Sequence, residues 1–252
     1  MRFTHFFILL YFFVFLNCKQ EKSQLTKIEG KQILISDSLK IDPEIEAYIK
    51  PFRDNIQKDL DSVLGYSANT YSKRDGDLNS ALGNFMADAV YSEANPVFKS
   101  RTGKDIDMVL LNYGGIRATL NKGNVSKRTA FQLMPFENYI VVVAIKSNQI
   151  DSLIQYLARD KSAHPISNLK LTLDKNYNVV DAKIKGKPIS QNKTYYVATS
   201  DYLYNGGDNM SFFQPNDSIY KIDYKIRNAI IDKFNKLDTI NPVIDNRFIQ
   251  IK

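Results

Sequence analysis

Residues 111–125 read "LNYGGIRATLNKGNV". An apolar run closes at Asn112, two glycines stand at Gly114 and Gly115, and one arginine follows at Arg117. Glycines need no room for a side chain, so the stretch can turn tightly and bring backbone N–H groups against a ligand. Arg117 adds a planar, permanently charged fork suited to phosphate or carboxylate. A plain strand exit with a surface arginine is spelled the same way, and spacing alone does not separate the two. Just before it, "DIDMVLLN" (105–112) carries an unbroken apolar run from Met108 to Leu111. That run predicts a strand covered on both faces.

Upstream, "IDPEIEAYIKPFRDNIQKDLDSVLG" predicts a helix capped by Asp42, started by Pro43 and ended by Gly65. Ile45, Tyr48, Ile49, Phe52, Ile56, Leu60 and Val63 make an apolar stripe at helical spacing, and Pro51 is expected to bend or split it. Residues 77–94 predict a second helix. Downstream, 126–135 predicts a short helix capped by Ser126. The segment from Tyr139 reads as a strand and then a helix, turning near Ser147–Asn148. A strand pair joined at Asp174–Asn178 follows, with a tight glycine turn at Lys185–Lys187. Lys193–Leu203 predicts a strand running into a loop, and Asp223–Asp238 a last amphipathic helix. Antiparallel and crossover patterns mix, which implies an α/β or α+β domain with helices covering a mixed sheet.

The chain has 252 residues, of which 44% are hydrophobic and 24% charged, ordinary values for a globular protein. The net charge of +7 is spread along the chain. It suits anionic ligands in general but forms no block of the kind that grips nucleic acid. At the N-terminus Arg2 precedes an apolar core at Phe6–Leu16, too short to span a bilayer comfortably. The single cysteine, Cys18, follows directly and has no internal disulfide partner. This start resembles a bacterial lipoprotein signal. The resemblance implies a signal at 1–17, lipid on Cys18 and a chain anchored outside the cytoplasm facing periplasm or cell surface; a simple cleaved signal and an uncleaved anchor are the alternatives. The mixed, polar residues that follow read as a tether at 18–41 with one short strand at Gln32–Ile35.

Two later stretches match the first in character. "LMPFENYIVVV" sets Phe136 between Pro135 and the polar pair Glu137 and Asn138. "ATSDYLYNGGDNMSFF" puts Tyr202 in a loop, then a second glycine pair, Gly206–Gly207, and then Asp208. Loop aromatics can stack on flat rings. A carboxylate can accept hydrogen bonds from sugar hydroxyls. Ordinary packing at strand ends would explain the same aromatics. A metal centre is not marked: there are two histidines, His5 in the leader and His164 in an expected surface loop, and no HExxH, CxxC, GxSxG or GxxxxGK[ST].

With "LGNFMADAV", these motifs, in this order and spacing, resemble the C-terminal domain of the 5′-nucleotidases over residues 42–252. The resemblance implies a 5′-nucleotidase C-terminal fold and a nucleotide- or nucleoside-binding role. It places substrate contacts on Asn112, Gly114, Gly115, Arg117, Phe136, Asn138, Tyr202, Gly206, Gly207 and Asp208. Phe136 and Tyr202 would stack on the base, Asp208 would hold the ribose, and Arg117 the phosphate. Tyr202 stands where the family usually has phenylalanine. Three departures stand out. Tyr113 replaces the first of three family glycines. No arginine follows "LGN" at the end of its helix. The largest is the missing catalytic domain. Residues 18–41 are too few for the family's metallophosphatase domain, which carries two divalent metals. The expectation is therefore a recognition half of a split 5′-nucleotidase, with no catalytic residue, metal site or cofactor of its own, served by a separate metallophosphatase chain. A stand-alone nucleoside-binding lipoprotein and a domain without ligand remain as alternatives.

Overall fold

The computed structural model describes residues 24–251. The expected signal at 1–17 and the lipidation position Cys18 lie outside them. Two compact units divide the chain at Ile49/Lys50. In the first, residues 24–42 form no strand, so the one expected at Gln32–Ile35 is not made. Ile33, Leu34 and Ile35 are exposed, and a β segment without a partner strand leaves its backbone groups to water. Helix α1, Pro43–Leu60, begins in this unit. Asp42 Oδ1 accepts from the backbone N–H of Glu44 at 2.9 Å, as its capping position requires.

Helix α1 continues into the second unit and contains Pro51 without being divided, and none of its residues is buried. It stops at Leu60, earlier than expected. Val63–Ser67 is a strand, β1, and not the helix end. Gly65 therefore serves a different purpose: a Cβ there would stand 2.7 Å from the Leu237 carbonyl oxygen, so only glycine permits the approach.

Helix α2, Ala81–Thr102, is capped by Ser80, whose hydroxyl accepts from Gly83 N–H, and ends on Gly103 in the left-handed conformation. It runs through Pro96 and past the predicted end, because Ala94 and Phe98 are fully buried and hold the last turns against the core. Strands β2 (Met108–Leu110), β3 (Gly123–Ser126) and β4 (Tyr139–Lys146) follow, with α3 (Lys127–Leu133) between β3 and β4. Then come α4 (Ser147–Asp160), β5 (Ile166–Ser167), β6 (Leu169–Leu173), β7 (Val179–Ile184), β8 (Lys187–Pro188) and β9 (Thr194–Ser200). The short helix α5 (Asp201–Tyr204), β10 (Ser218–Lys225), α6 (Ile226–Asn235), β11 (Thr239–Ile240) and β12 (Phe248–Gln250) complete the chain. Asp223–Lys225 thus belong to β10, where the sequence predicted the start of the last helix.

Among the described residues the strands form three sheets. The central one has the order β10-β4-β9-β2-β5, flanked by β11-β1-β3 and β12-β6-β7-β8. Strand β2 lies between two apolar clusters: Ile106, Val109 and Leu111 enter one, Met108 and Leu110 the other. This is the doubly covered strand its composition demands. The mixed α/β architecture matches the expected fold class. No helix of the described residues is long and apolar enough to cross a membrane.

The central sheet also fixes where the loops gather. Strand β9 runs parallel to β2 and antiparallel to β4. The ends of β2 and β9 and the beginning of β4 therefore share one edge. These three neighbours deliver residues 112–117, 201–208 and 136–138 to the same place.

Candidate functional site

At that edge Asn112, Gly114, Arg117, Phe136, Asn138, Tyr202 and Asp208 line one cavity of about 280 Å³. Seven of the ten expected contact residues are thus brought together. Gly115, Gly206 and Gly207 do not line it but shape it. Phe136 and Tyr202 are 39% and 46% exposed, so both rings are open to a ligand and neither is consumed by the core. Tyr202 sits in α5, not in a loop as expected. Ser200 caps that helix, accepting from Leu203 N–H, and the buried Leu203 anchors it.

Asp208 is the most connected group of the cavity. Its Oδ2 accepts from Asn112 Nδ2 at 2.7 Å and its Oδ1 from the Tyr202 hydroxyl at 2.9 Å. The bond to Asp208 shifts the Tyr202 phenol upward, because the ionised ring would face a carboxylate. Asp208 adopts φ 51°, in the left-handed region that aspartate tolerates better than most residues. A Cβ on Gly207 would lie 2.4 Å from the Tyr202 ring, so the ring rests directly on that glycine.

Helix α4 buttresses both glycine loops from behind. The Tyr156 hydroxyl donates to the Asp208 carbonyl at 2.9 Å. One turn on, Asp160 binds His164 Nε2 at 2.8 Å, and His164 Nδ1 accepts the Tyr113 N–H at 3.1 Å. That acceptor role puts the ring proton on Nε2. Burial first, and then the Asp160 and Asp208 charges, push the Tyr156 phenol up to about 12. His164 is therefore 4% exposed and holds the first glycine loop, where the sequence suggested a surface position. Proline at 165 and a short polar segment misled that reading, because only the tertiary fold packs it under α4.

The Phe136 wall is clamped from α6. The buried Arg227 guanidinium donates to the carbonyls of Pro135 at 3.2 Å and Phe136 at 3.3 Å, and pairs with Glu137. It also lies 4.0 Å over the Phe131 ring. Ile226 N–H adds a bond to the Asn138 carbonyl at 3.1 Å. Hydrogen bonds from Arg227 and then Lys225 hold the Glu137 carboxyl down at about 2.

A second cavity of about 410 Å³ adjoins through Arg117, which lines both. Ser72, Lys73, Arg74 and Thr119 line it too. Lys73 Nζ donates to the Ile116 carbonyl at 2.9 Å and sits 4.3 Å over the Tyr113 ring. Burial, then the charges of Arg117 and Arg74, lower its pKa. Three cations held this close mark a place for an anion. Sequence reasoning missed Lys73 and Arg74. The adjacent pair in "YSKRDGD" was the available signal, but nothing local places it beside Arg117.

The chain matches the model for the 5′-nucleotidase C-terminal domain over residues 61–215. It belongs to that family. An apyrase of Tabanus yao is 24% identical over 91% of this chain and 46% of its own length. Protein UshA of Yersinia enterocolitica is 25% identical over 86% of this chain and 40% of its own. The solved 5′-nucleotidase precursor of Thermus thermophilus superposes with a TM-score of 0.68 at 20% identity, over 82% of this chain and 42% of that one. The chain therefore spans less than half the length of these relatives. The 5′-nucleotidase C-terminal fold is shared throughout the site: every cavity residue lies inside the matched range. Among the described residues, no group of three or more histidine, cysteine, aspartate or glutamate side chains is placed to hold a metal ion.

Proposed function

We propose that this domain recognises a nucleoside monophosphate and presents its phosphate to a metallophosphatase supplied by a separate chain. The carrying observation is the shared wall of two cavities. One holds two exposed rings, an amide and a carboxylate; the other holds cations; Arg117 belongs to both. The base would lie between Phe136 and Tyr202, the ribose on Asp208, and the phosphate on Arg117 with Lys73 and Arg74. Lys73 and Arg74 then do what the arginine absent after "LGN" would have done. At about 280 Å³ the small cavity lies just under the ~300–1,000 Å³ of small-molecule sites, a size that suits one nucleoside and no larger ligand. In this reading the chain is exported and held at a membrane by lipid on Cys18, which a C18A variant should fail to incorporate from labelled palmitate.

The recognition groups named here position a phosphate; they do not activate water, so catalysis by this domain is a matter of orientation. The experiment is calorimetric titration with adenosine and with AMP, paired with a phosphate-release assay with a divalent metal. Binding of both, with AMP tighter, and no turnover until a metallophosphatase protein is added, is the expected result. Loss of a stacking ring is worth ~1–3 kcal/mol, so F136A should weaken adenosine about 5- to 150-fold. Absence of binding to the parent chain overturns the proposal, as does rapid AMP hydrolysis by the pure chain. AMP binding without turnover in the mixture would leave a stand-alone binder.

A further inference from the structure

The hydroxyl of Tyr202 has no part in stacking, yet it is fixed in space. Its ring rests on Gly207, where a Cβ would come within 2.4 Å of Cε1 and 2.5 Å of Cζ. Its oxygen reaches Asp208 Oδ1 at 2.9 Å, from α5 to the turn just after it. An ionised carboxylate only accepts, so the phenol is the donor. The upward shift of the phenol agrees with that direction. On the other oxygen, Oδ2, Asn112 Nδ2 donates at 2.7 Å. The Asp208 backbone is pinned as well, by Tyr156. The carboxylate thus has a donor from the chain on each oxygen and a fixed main chain. Its torsion has little left to vary.

A carboxylate offers about four lone-pair positions, two per oxygen. Two are taken, one on each oxygen. What remains is one acceptor position on each, on a carboxylate that lines the cavity. Two adjacent hydroxyls on neighbouring carbons present two donors at the same spacing. A single hydroxyl satisfies one position and leaves the other unmatched, and a polar group left unmatched on closing over a ligand costs affinity.

We propose that the Tyr202 hydroxyl is a sugar-specificity element: by donating to Asp208 it holds the carboxylate so that its two open acceptor positions are matched by a vicinal diol. The ring would make the stacking wall; the hydroxyl would act through Asp208 as a positioning group. Y202F keeps the ring and frees Oδ1, so the carboxylate can turn and accept a single hydroxyl or water equally well. The inference rests on the nucleoside reading above.

The test compares ratios, so that any uniform loss from a disturbed ring cancels. Adenosine, 2′-deoxyadenosine and adenine are titrated calorimetrically into the full chain and into Y202F. The expected result is a parent that prefers adenosine over the deoxy compound, with its single 3′-hydroxyl, and that ratio falling about 10-fold in Y202F. An unchanged ratio, or uniform weakening of all three ligands, makes Tyr202 a plain aromatic wall and overturns the inference alone. A ratio that rises shows the hydroxyl competing with the sugar for Asp208 and overturns it too. A parent that binds neither adenosine nor adenine overturns the nucleoside reading and this inference together.

Discussion

The two glycine pairs, Gly114–Gly115 and Gly206–Gly207, look interchangeable in the sequence and are used in different ways. In the first pair the backbone is ordinary and the constraint is space. A Cβ on Gly115 would meet Asn112 Oδ1 at 2.8 Å and Met134 Cε at 3.3 Å, whereas one on Gly114 finds nothing nearer than 3.4 Å. In the second pair the constraints are divided. Gly206 has φ 90° with open space around it, and Gly207 has the Tyr202 ring against it. One pair lets a buried loop close on Asn112; the other turns the chain and then seats a ring. A dipeptide motif therefore says that side chains are excluded without saying what excludes them.

Substitutions can break this comparison, and the largest effect belongs to G207A. The added methyl must push the Tyr202 ring away. The ring is exposed and can swing, so the cost should fall on binding: adenosine affinity drops 10-fold or more by calorimetry, with little change in melting temperature. Next comes G115A. Its methyl drives Asn112 off Asp208 inside a buried loop, so both readouts should move: a loss of ~1–3 kcal/mol by urea denaturation, in the range of overpacked sites, and several-fold weaker adenosine. G206A should show the converse of G207A. A non-glycine residue at that φ costs ~1 kcal/mol of stability, seen as a lower melting temperature, with adenosine binding kept within about twofold. Equal behaviour of all three variants in both assays would dissolve the distinction.

The smallest effect sharpens the contrast with the opposite wall, which is held by charge and not by glycine. Glu137 is depressed from 4.5 to about 2, chiefly by its hydrogen bond to Arg227. A depressed carboxylate contributes stability above its unfolded pKa and loses it as pH falls through the folded value. The clamp on Phe136 should thus be intact at pH 5 and weaken progressively between about 4.5 and 2. Two-dimensional NMR of the Phe136 loop would follow it. E137Q should flatten that transition. Because Glu137 is solvent-exposed, the change in global stability should be slight.

Much of this was legible in the residues. The Met108–Leu111 run predicted a strand covered on both sides, and Ser126 caps the short helix as its position predicted, whereas the caps Ser80 and Gly103 lie away from the ends predicted for the helix at 77–94. The strand-to-helix switch after Lys146 and the hairpin at Asp174–Asn178 were local decisions of periodicity and turn chemistry. What failed was whatever depended on distant partners. Val63–Ser67 became a strand because β3 and β11 lie on either side of it. Residues 32–35 stayed unpaired because no strand came to them. His164 went inside because α4 and the Tyr113 loop both bind it. Lys73 and Arg74 became part of the site only through their approach to Arg117.

By itself the sequence determined most of the element types, the doubly apolar strand Met108–Leu110, the positions of the two glycine pairs and the identity of the rings, amide, carboxylate and arginine at the cavity. Those follow from local backbone preference and spacing, which a short window of residues contains. Tertiary structure alone decided that β2, β4 and β9 are neighbours with the strand directions that bring their loops to one edge, and which helices support those loops from behind. Strand order is set by packing between segments far apart in the chain, Met108 against Val197 and Tyr66 against Thr239, and no local pattern encodes that choice.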